Sequence, residues 1–164
     1  MIGISGSNGQ YGGATTFAQL LGADGANQPE SSLVPAAPTT TFGTGGSAGY
    51  VRGVTSTFNN IPPDTDASTI EMVAWDNSSG LYPTWVQASA AWQAGLIAAG
   101  ESGPWIQDLY SFGTESYPIN NLDPSQHVVS FNLYFIPEPS TFALAGLGVI
   151  LLIYRANRIV RVST

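Results

Sequence analysis

Ser68-Thr69-Ile70-Glu71-Met72-Val73-Ala74-Trp75-Asp76 decides the fold. In an extended chain Ile70, Met72 and Ala74 fall on one side, and Glu71, Val73 and Trp75 on the other. Turn-forming residues bound the run, with Pro62-Pro63-Asp64-Thr65-Asp66 before it and Asn77-Ser78-Ser79-Gly80 after it. Similar short runs recur at 15–21, 39–43, 49–58, 105–112 and 126–136, separated by Gly, Ser, Thr, Asn and Pro, which is an all-β pattern. In the last run Val129, Phe131, Leu133 and Phe135 alternate with Val128, Ser130, Asn132 and Tyr134. The reading is a mainly β chain: a small β-sandwich or jelly-roll-like domain over 14–135 with one short α-helix, followed by a C-terminal hydrophobic α-helix. A domain of that size buries a single core. Residues 1–13 read as a poorly ordered start.

One segment departs from the β rhythm. Between 85 and 99, Trp85, Ala88, Trp92, Leu96 and Ala99 fall on one helical face. Thr84 and Gln87 have the spacing of a capping box, and Gly100 supplies a stop. The spacing predicts a helix lying across one end of the sandwich, its tryptophans closing the core.

The C-terminal end follows different rules. Pro139 fixes its own φ and pushes Glu138 towards extended geometry, so a helix begins only at Ser140 or Thr141, with Ser140 a good N-cap. The 13 residues from Phe142 to Tyr154 contain no charge, yet at about 1.5 Å each they reach only about 20 Å of a hydrocarbon core about 30 Å thick. Continuation through Ile159 and Val160 supplies the missing length, giving a helix over 141–160 with Arg155 and Arg158 snorkelling to the headgroups. Arg155, Arg158 and Arg161 then orient it, basic end inside and the preceding domain outside. Ala145-Gly146-Leu147-Gly148 suits close approach of another helix.

Pro137-Glu138-Pro139-Ser140-Thr141, the apolar run and the trailing arginines closely resemble the PEP-CTERM sorting signal of Gram-negative bacteria, over residues 136–161. The resemblance implies recognition by exosortase, a membrane-embedded cysteine protease, and a link to exopolysaccharide and biofilm or floc formation. It implies transient anchoring in the inner membrane, then processing near Pro137 to Ser140 and release to the envelope or the extracellular matrix. Ile159 and Val160, set between the arginines, dilute the basic tail relative to the family pattern. Phe17-Ala18-Gln19-Leu20, Ala48-Gly49-Tyr50-Val51 and residues 69–76 are similar, more weakly, to the ectodomains of verrucomicrobial PEP-CTERM proteins, which have no established activity.

Composition agrees with export. The basic residues are Arg52, Arg155, Arg158 and Arg161, so residues 1–140 set one positive charge against all 11 carboxylates, 1 − 11 = −10. That balance excludes nucleic acid as a partner and opposes an anionic membrane surface. No cysteine is present, which removes disulfides, thiolate metal sites and thiol catalysis. Met1 to Gly9 lacks the basic and apolar regions of a secretory signal, so the true start is expected upstream, in a truncated gene reading.

Catalytic chemistry finds little support. His127 is the sole histidine and reads as a polar residue at the start of a strand. Asp64 and Asp66, with Asp76 or Glu71, form a weak Ca²⁺ candidate without EF-hand spacing, a solvated turn being the simpler reading. Carboxylate pairs drawn from Glu71, Asp76, Glu101, Asp108 and Glu115 are arbitrary without separations. Asn77-Ser78-Ser79 fits a glycosylation triplet but reads first as a turn. Trp85, Trp92 and Trp105 either fill the core or form a sugar-stacking platform. The expectation is a non-enzymatic protein without cofactor, the alternative being a carbohydrate-binding module of the cell surface.

Overall fold

The fold is built around β4 (Ser68–Asp76), buried at every residue but Asp76. A strand that is apolar on both faces needs cover on both, and it receives it. The computed structural model describes residues 11–62, 65–107 and 130–136. β1 (Thr16–Asp24) pairs antiparallel with the whole of β4, from Thr16 opposite Asp76 to Asp24 opposite Ser68. The other edge of β4 is shared by β5 (Ala99–Glu101), opposite Val73, Ala74 and Trp75, and β6 (Trp105–Gln107), opposite Ser68, Thr69 and Ile70. Between them Ser102 keeps the ladder satisfied: its N–H donates to the Met72 carbonyl at 2.9 Å, and its Oγ accepts from the Met72 N–H at 3.0 Å. β2 (Val34–Pro35) and β3 (Thr40–Thr41) divide the outer edge of β1 in the same way.

All these strands belong to one sheet, of order β2-β1-β4-β5 with β3 on β1 and β6 on β4. The second sheet of the expected sandwich is not found among the described residues. One face carries α1 (Trp85–Gln93), where Leu21, Val73 and Trp75 meet Trp85, Ala88, Ala91 and Trp92. The other is covered by irregular chain: Phe42, Val51, Phe58, Phe131 and Leu133 pack over Ala18, Ile70, Met72 and Ala74, with Trp105 beside them. A series of tilted and edge-on aromatic rings runs across the helical side, with centroids 5.8 Å apart for Phe17 and Trp75, 5.7 Å for Trp75 and Trp85, 6.1 Å for Trp85 and Trp92 and 5.2 Å for Trp92 and Tyr134.

Several expectations are corrected. The run 49–58 is no strand; its backbone pairs with the facing chain in isolated bridges, between Val51 and Phe42 and between Thr57 and Ala37. The facing chain cannot run straight, because Pro38 lacks a donor and Gly45 and Gly49 take φ of 61° and 85° around a 3-10 turn over Gly45–Ser47. The helix predicted over 85–99 ends at Gln93. Gly95 at φ 70° ends it: its N–H bonds to the Trp92 carbonyl at 2.9 Å and the Leu96 N–H to the Ala91 carbonyl at 2.9 Å, the paired bonds of a Schellman motif. Gly100 instead lies in β5. The capping box is replaced by a side-chain contact, Thr84 Oγ1 donating to Gln87 Oε1 at 3.0 Å, while the Trp85 N–H reaches Gln19 Oε1 on β1 at 3.4 Å. Of the run 126–136, the described part makes a single bridge, Tyr134 with Ala99. The run 105–112 is a strand to Gln107, its remainder lying outside the described residues.

Candidate functional site

The sorting residues Pro137, Glu138, Pro139, Ser140 and Thr141, the orienting Arg155, Arg158 and Arg161, and the predicted helix 141–160 lie outside the described residues. Among the described residues no helix is long and apolar enough to cross a membrane. What the fold does define is the chain leading to Pro137. Ala99 and Tyr134 exchange both backbone hydrogen bonds, at 3.1 and 3.0 Å. The Trp92 indole N–H donates to the same Tyr134 carbonyl at 2.8 Å, and the two rings meet edge to face at 71°. Leu133 is buried against Phe42 and Ala74 on one side of the sheet, while Ile136 packs on the helical cluster on the other. Residues 131–136 thus clasp the edge of β5 from both faces.

The clasp depends on Gly100, since a β-carbon there would collide with the Asn132 carbonyl and press on the Phe131 ring. Gly100→Ala is expected to free residues 131–136 from β5 at a loss of about 1–3 kcal/mol. Hydrogen exchange checks this: the Tyr134 amide exchanges faster in the variant while the amides paired between β1 and β4 keep their protection.

The acidic candidates separate. Asp64 and His127 lie outside the described residues. Asp66 precedes β4 and Asp76 ends it, so a strand of nine residues holds them apart by about 25–30 Å. Asp76 accepts from the Ser78 N–H at 2.9 Å and the Ser78 hydroxyl at 3.1 Å, as a turn residue does. Asp66 and Asp76 therefore share no calcium ion, and no group of three or more His, Cys, Asp or Glu side chains placed to hold a metal is found among the described residues.

Glu71 and Glu101 do come together. Glu101 stands opposite Val73, so the two carboxyls share one face of the sheet. Glu71 is 2 % exposed and its Oε1 has no hydrogen-bond partner. Burial, then the charges of Glu101 and Glu30, push its carboxyl up to about 7, against a hydrogen bond from the Gly103 backbone. Burial and Glu30 raise Glu101 as well. This pair was among the carboxylates that spacing alone could not select. A proton is available near neutrality, yet a cavity of about 230 Å³ lined by Asn27, Gln28, Thr69, Pro104, Trp105 and Ile106 includes neither carboxyl. Asp108 and Glu115 lie outside the described residues.

The other polar candidates take structural roles. Trp85, Trp92 and Trp105 are 7, 6 and 7 % exposed, so no sugar ring can stack on them as a platform. Asn77 is buried and its Oδ1 accepts the Tyr82 N–H at 2.8 Å, holding the turn after β4 as the sequence suggests. Gln19 was missed in the sequence. Its amide donates to the Ala36 carbonyl at 2.7 Å and accepts from the start of α1, tying edge strand to helix. No local pattern announces a contact across 66 positions.

No curated protein and no solved structure matches the chain. Residues 135–158 match the PEP-CTERM protein-sorting motif, which supports exosortase-dependent sorting of an exported protein. The match begins at Phe135, inside the clasp on β5, so the chain carries a PEP-CTERM protein-sorting motif that starts directly at the edge of its folded sheet.

Proposed function

We propose that this chain is a non-enzymatic protein of the cell envelope or extracellular matrix, held in the inner membrane by a helix over 141–160 until exosortase processes it near Pro137 to Ser140. The motif match at 135–158 carries the reading. The apolar run from Phe142 to Tyr154, bounded by Pro139 and Arg155, has the composition a membrane segment needs. An acidic domain without lysine suits an exported surface, and a link to exopolysaccharide or biofilm belongs to the same proposal. The resemblance of the domain to verrucomicrobial ectodomains rests on its sequence runs alone. Burial of the tryptophans removes the feature that favoured a carbohydrate-binding module.

Replacing Glu138 or deleting residues 142–154 is expected to leave export intact and to abolish maturation. Mass spectrometry of the cell-associated and released protein checks it. A mature species of unchanged mass and location after either change refutes processing through the motif.

A further inference from the structure

Of the large apolar side chains exposed among the described residues, the five most exposed are Leu81 and Val86 at 68 %, Leu96 at 65 %, Tyr134 at 53 % and Phe135 at 49 %. Four of the five gather around one element. Leu81, Val86 and Leu96 belong to α1 and its flanks, and Tyr134 rests its ring on Trp92 of the same helix. From Asn77 to Gly100 the sequence contains no Asp, Glu, Lys or Arg, whereas the other described segments carry Asp24, Glu30, Arg52, Asp66, Glu71, Asp76 and Glu101. The outward positions of the helix are Val86, Gln87, Ala90 and Gln93, apolar or amide. A neutral apolar side on so acidic a protein meets no charge repulsion from lipid headgroups, although the net charge of the domain opposes an anionic surface.

Its position selects the occupant. The five residues 137–141 lie between Ile136 and the apolar run, and five residues reach about 18 Å at most. Ile136 itself packs on the cluster under α1. We propose that the α1 side of the domain, through Leu81, Val86 and Leu96 with Tyr134 at its border, rests on the outer surface of the lipid bilayer while the C-terminal helix anchors the chain. Aromatic and aliphatic side chains among uncharged polar ones favour the interfacial zone of a membrane. The proposal rests on the anchoring reading above, and it turns the exposed side of α1 into a second, weaker membrane contact that holds residues 137–141 at the lipid surface.

The chain has no cysteine of its own, so single cysteines report cleanly. Full-length Val86→Cys, Leu96→Cys, Val54→Cys and Leu147→Cys variants, each carrying an environment-sensitive fluorophore, are reconstituted into zwitterionic phosphatidylethanolamine and phosphatidylcholine vesicles with and without brominated lipid. Val54 is 45 % exposed and lies in the segment that covers the opposite face. Labels at 86 and 96 are expected to shift to the blue and to lose about half their emission to brominated lipid, while the label at 54 loses little. A quenched label at 147 with water-like labels at 86 and 96 overturns the proposal alone. A water-like label at 147 overturns the anchoring reading and the proposal with it. Labels at 86 and 96 that are shielded only when exosortase shares the vesicle assign the surface to that protein and also overturn the proposal.

Discussion

Trp75→Ala is expected to destabilise the domain by about 3–5 kcal/mol, a large part of the stability of a small protein. Trp75 is 0 % exposed and lies within the aromatic series, between Phe17 and Trp85. Its removal opens a void between β4 and α1 that neither can fill, because β4 is held along its whole length by β1 and α1 is pinned by Gln19 and by the Schellman motif. The indole also donates to the Tyr82 carbonyl at 2.7 Å, fixing the chain that leads into the helix. Trp75→Phe separates the two effects: it keeps most of the packing and leaves the Tyr82 carbonyl without its donor, for a loss of about 1–3 kcal/mol. Chemical denaturation of the full chain in detergent, followed by far-ultraviolet circular dichroism, measures both. Equal stabilities for Trp75→Ala and the native chain would show that α1 does not depend on this contact. Trp75→Ala and Trp85→Ala are expected to be non-additive, since either change removes the same pair of touching rings.

The strand that contains Trp75 was legible because alternation is a local property, and residues 68–76 match the predicted run at both ends. The start of α1 at Trp85 was equally legible. Its end was not: Gly95 and Gly100 are both plausible stops in sequence, and the choice was made by β5, which takes Ala99 to Glu101 as an edge for β4. Two of the residues assigned to the helical face show the consequence, Leu96 being exposed and Ala99 buried in the sheet. The cover on the far face could not be read either, because residues 42–58 pack through Phe42, Val51 and Phe58 without regular spacing. At the C-terminus the order of breaker, apolar run and arginines was legible without any fold. The clasp before it was not, since Ala99, Gly100, Leu133 and Tyr134 meet only once the sheet has formed. Glu71 gave one neglected signal: it alternates in phase with Val73 and Trp75, and a charged residue on a strongly apolar face is either at its rim or buried.

Because it is buried, Glu71 makes the fold sensitive to pH. Its carboxyl in the fold stands at about 7, above the ordinary 4.5, so the folded chain holds the proton more tightly than the unfolded one. The stability tied to that proton is complete below about pH 4.5 and is lost as the pH rises through about 7. Glu101, raised in the same direction by burial and by Glu30, adds to the slope with the same sign. The native chain is therefore expected to be less stable at pH 8 than at pH 5, with roughly 2–3 kcal/mol coming from Glu71. Glu71→Gln keeps the shape, carries no charge to desolvate and offers an amide N–H to the neighbouring carboxylates. The variant is expected to exceed the native chain in stability at pH 8, to match it near pH 5 and to flatten the dependence between them. Glu101→Gln distinguishes the two causes. If the charge of Glu101 contributes, the fall in stability attributable to Glu71 moves to lower pH and shrinks, whereas burial acting alone leaves it in place. Denaturant midpoints of the three proteins, taken at half-unit steps from pH 5 to 8.5, decide it. Parallel curves for Glu71→Gln and the native chain would mean that the carboxyl between β1 and β5 is ionised in the fold, with water or a cation reaching Oε1.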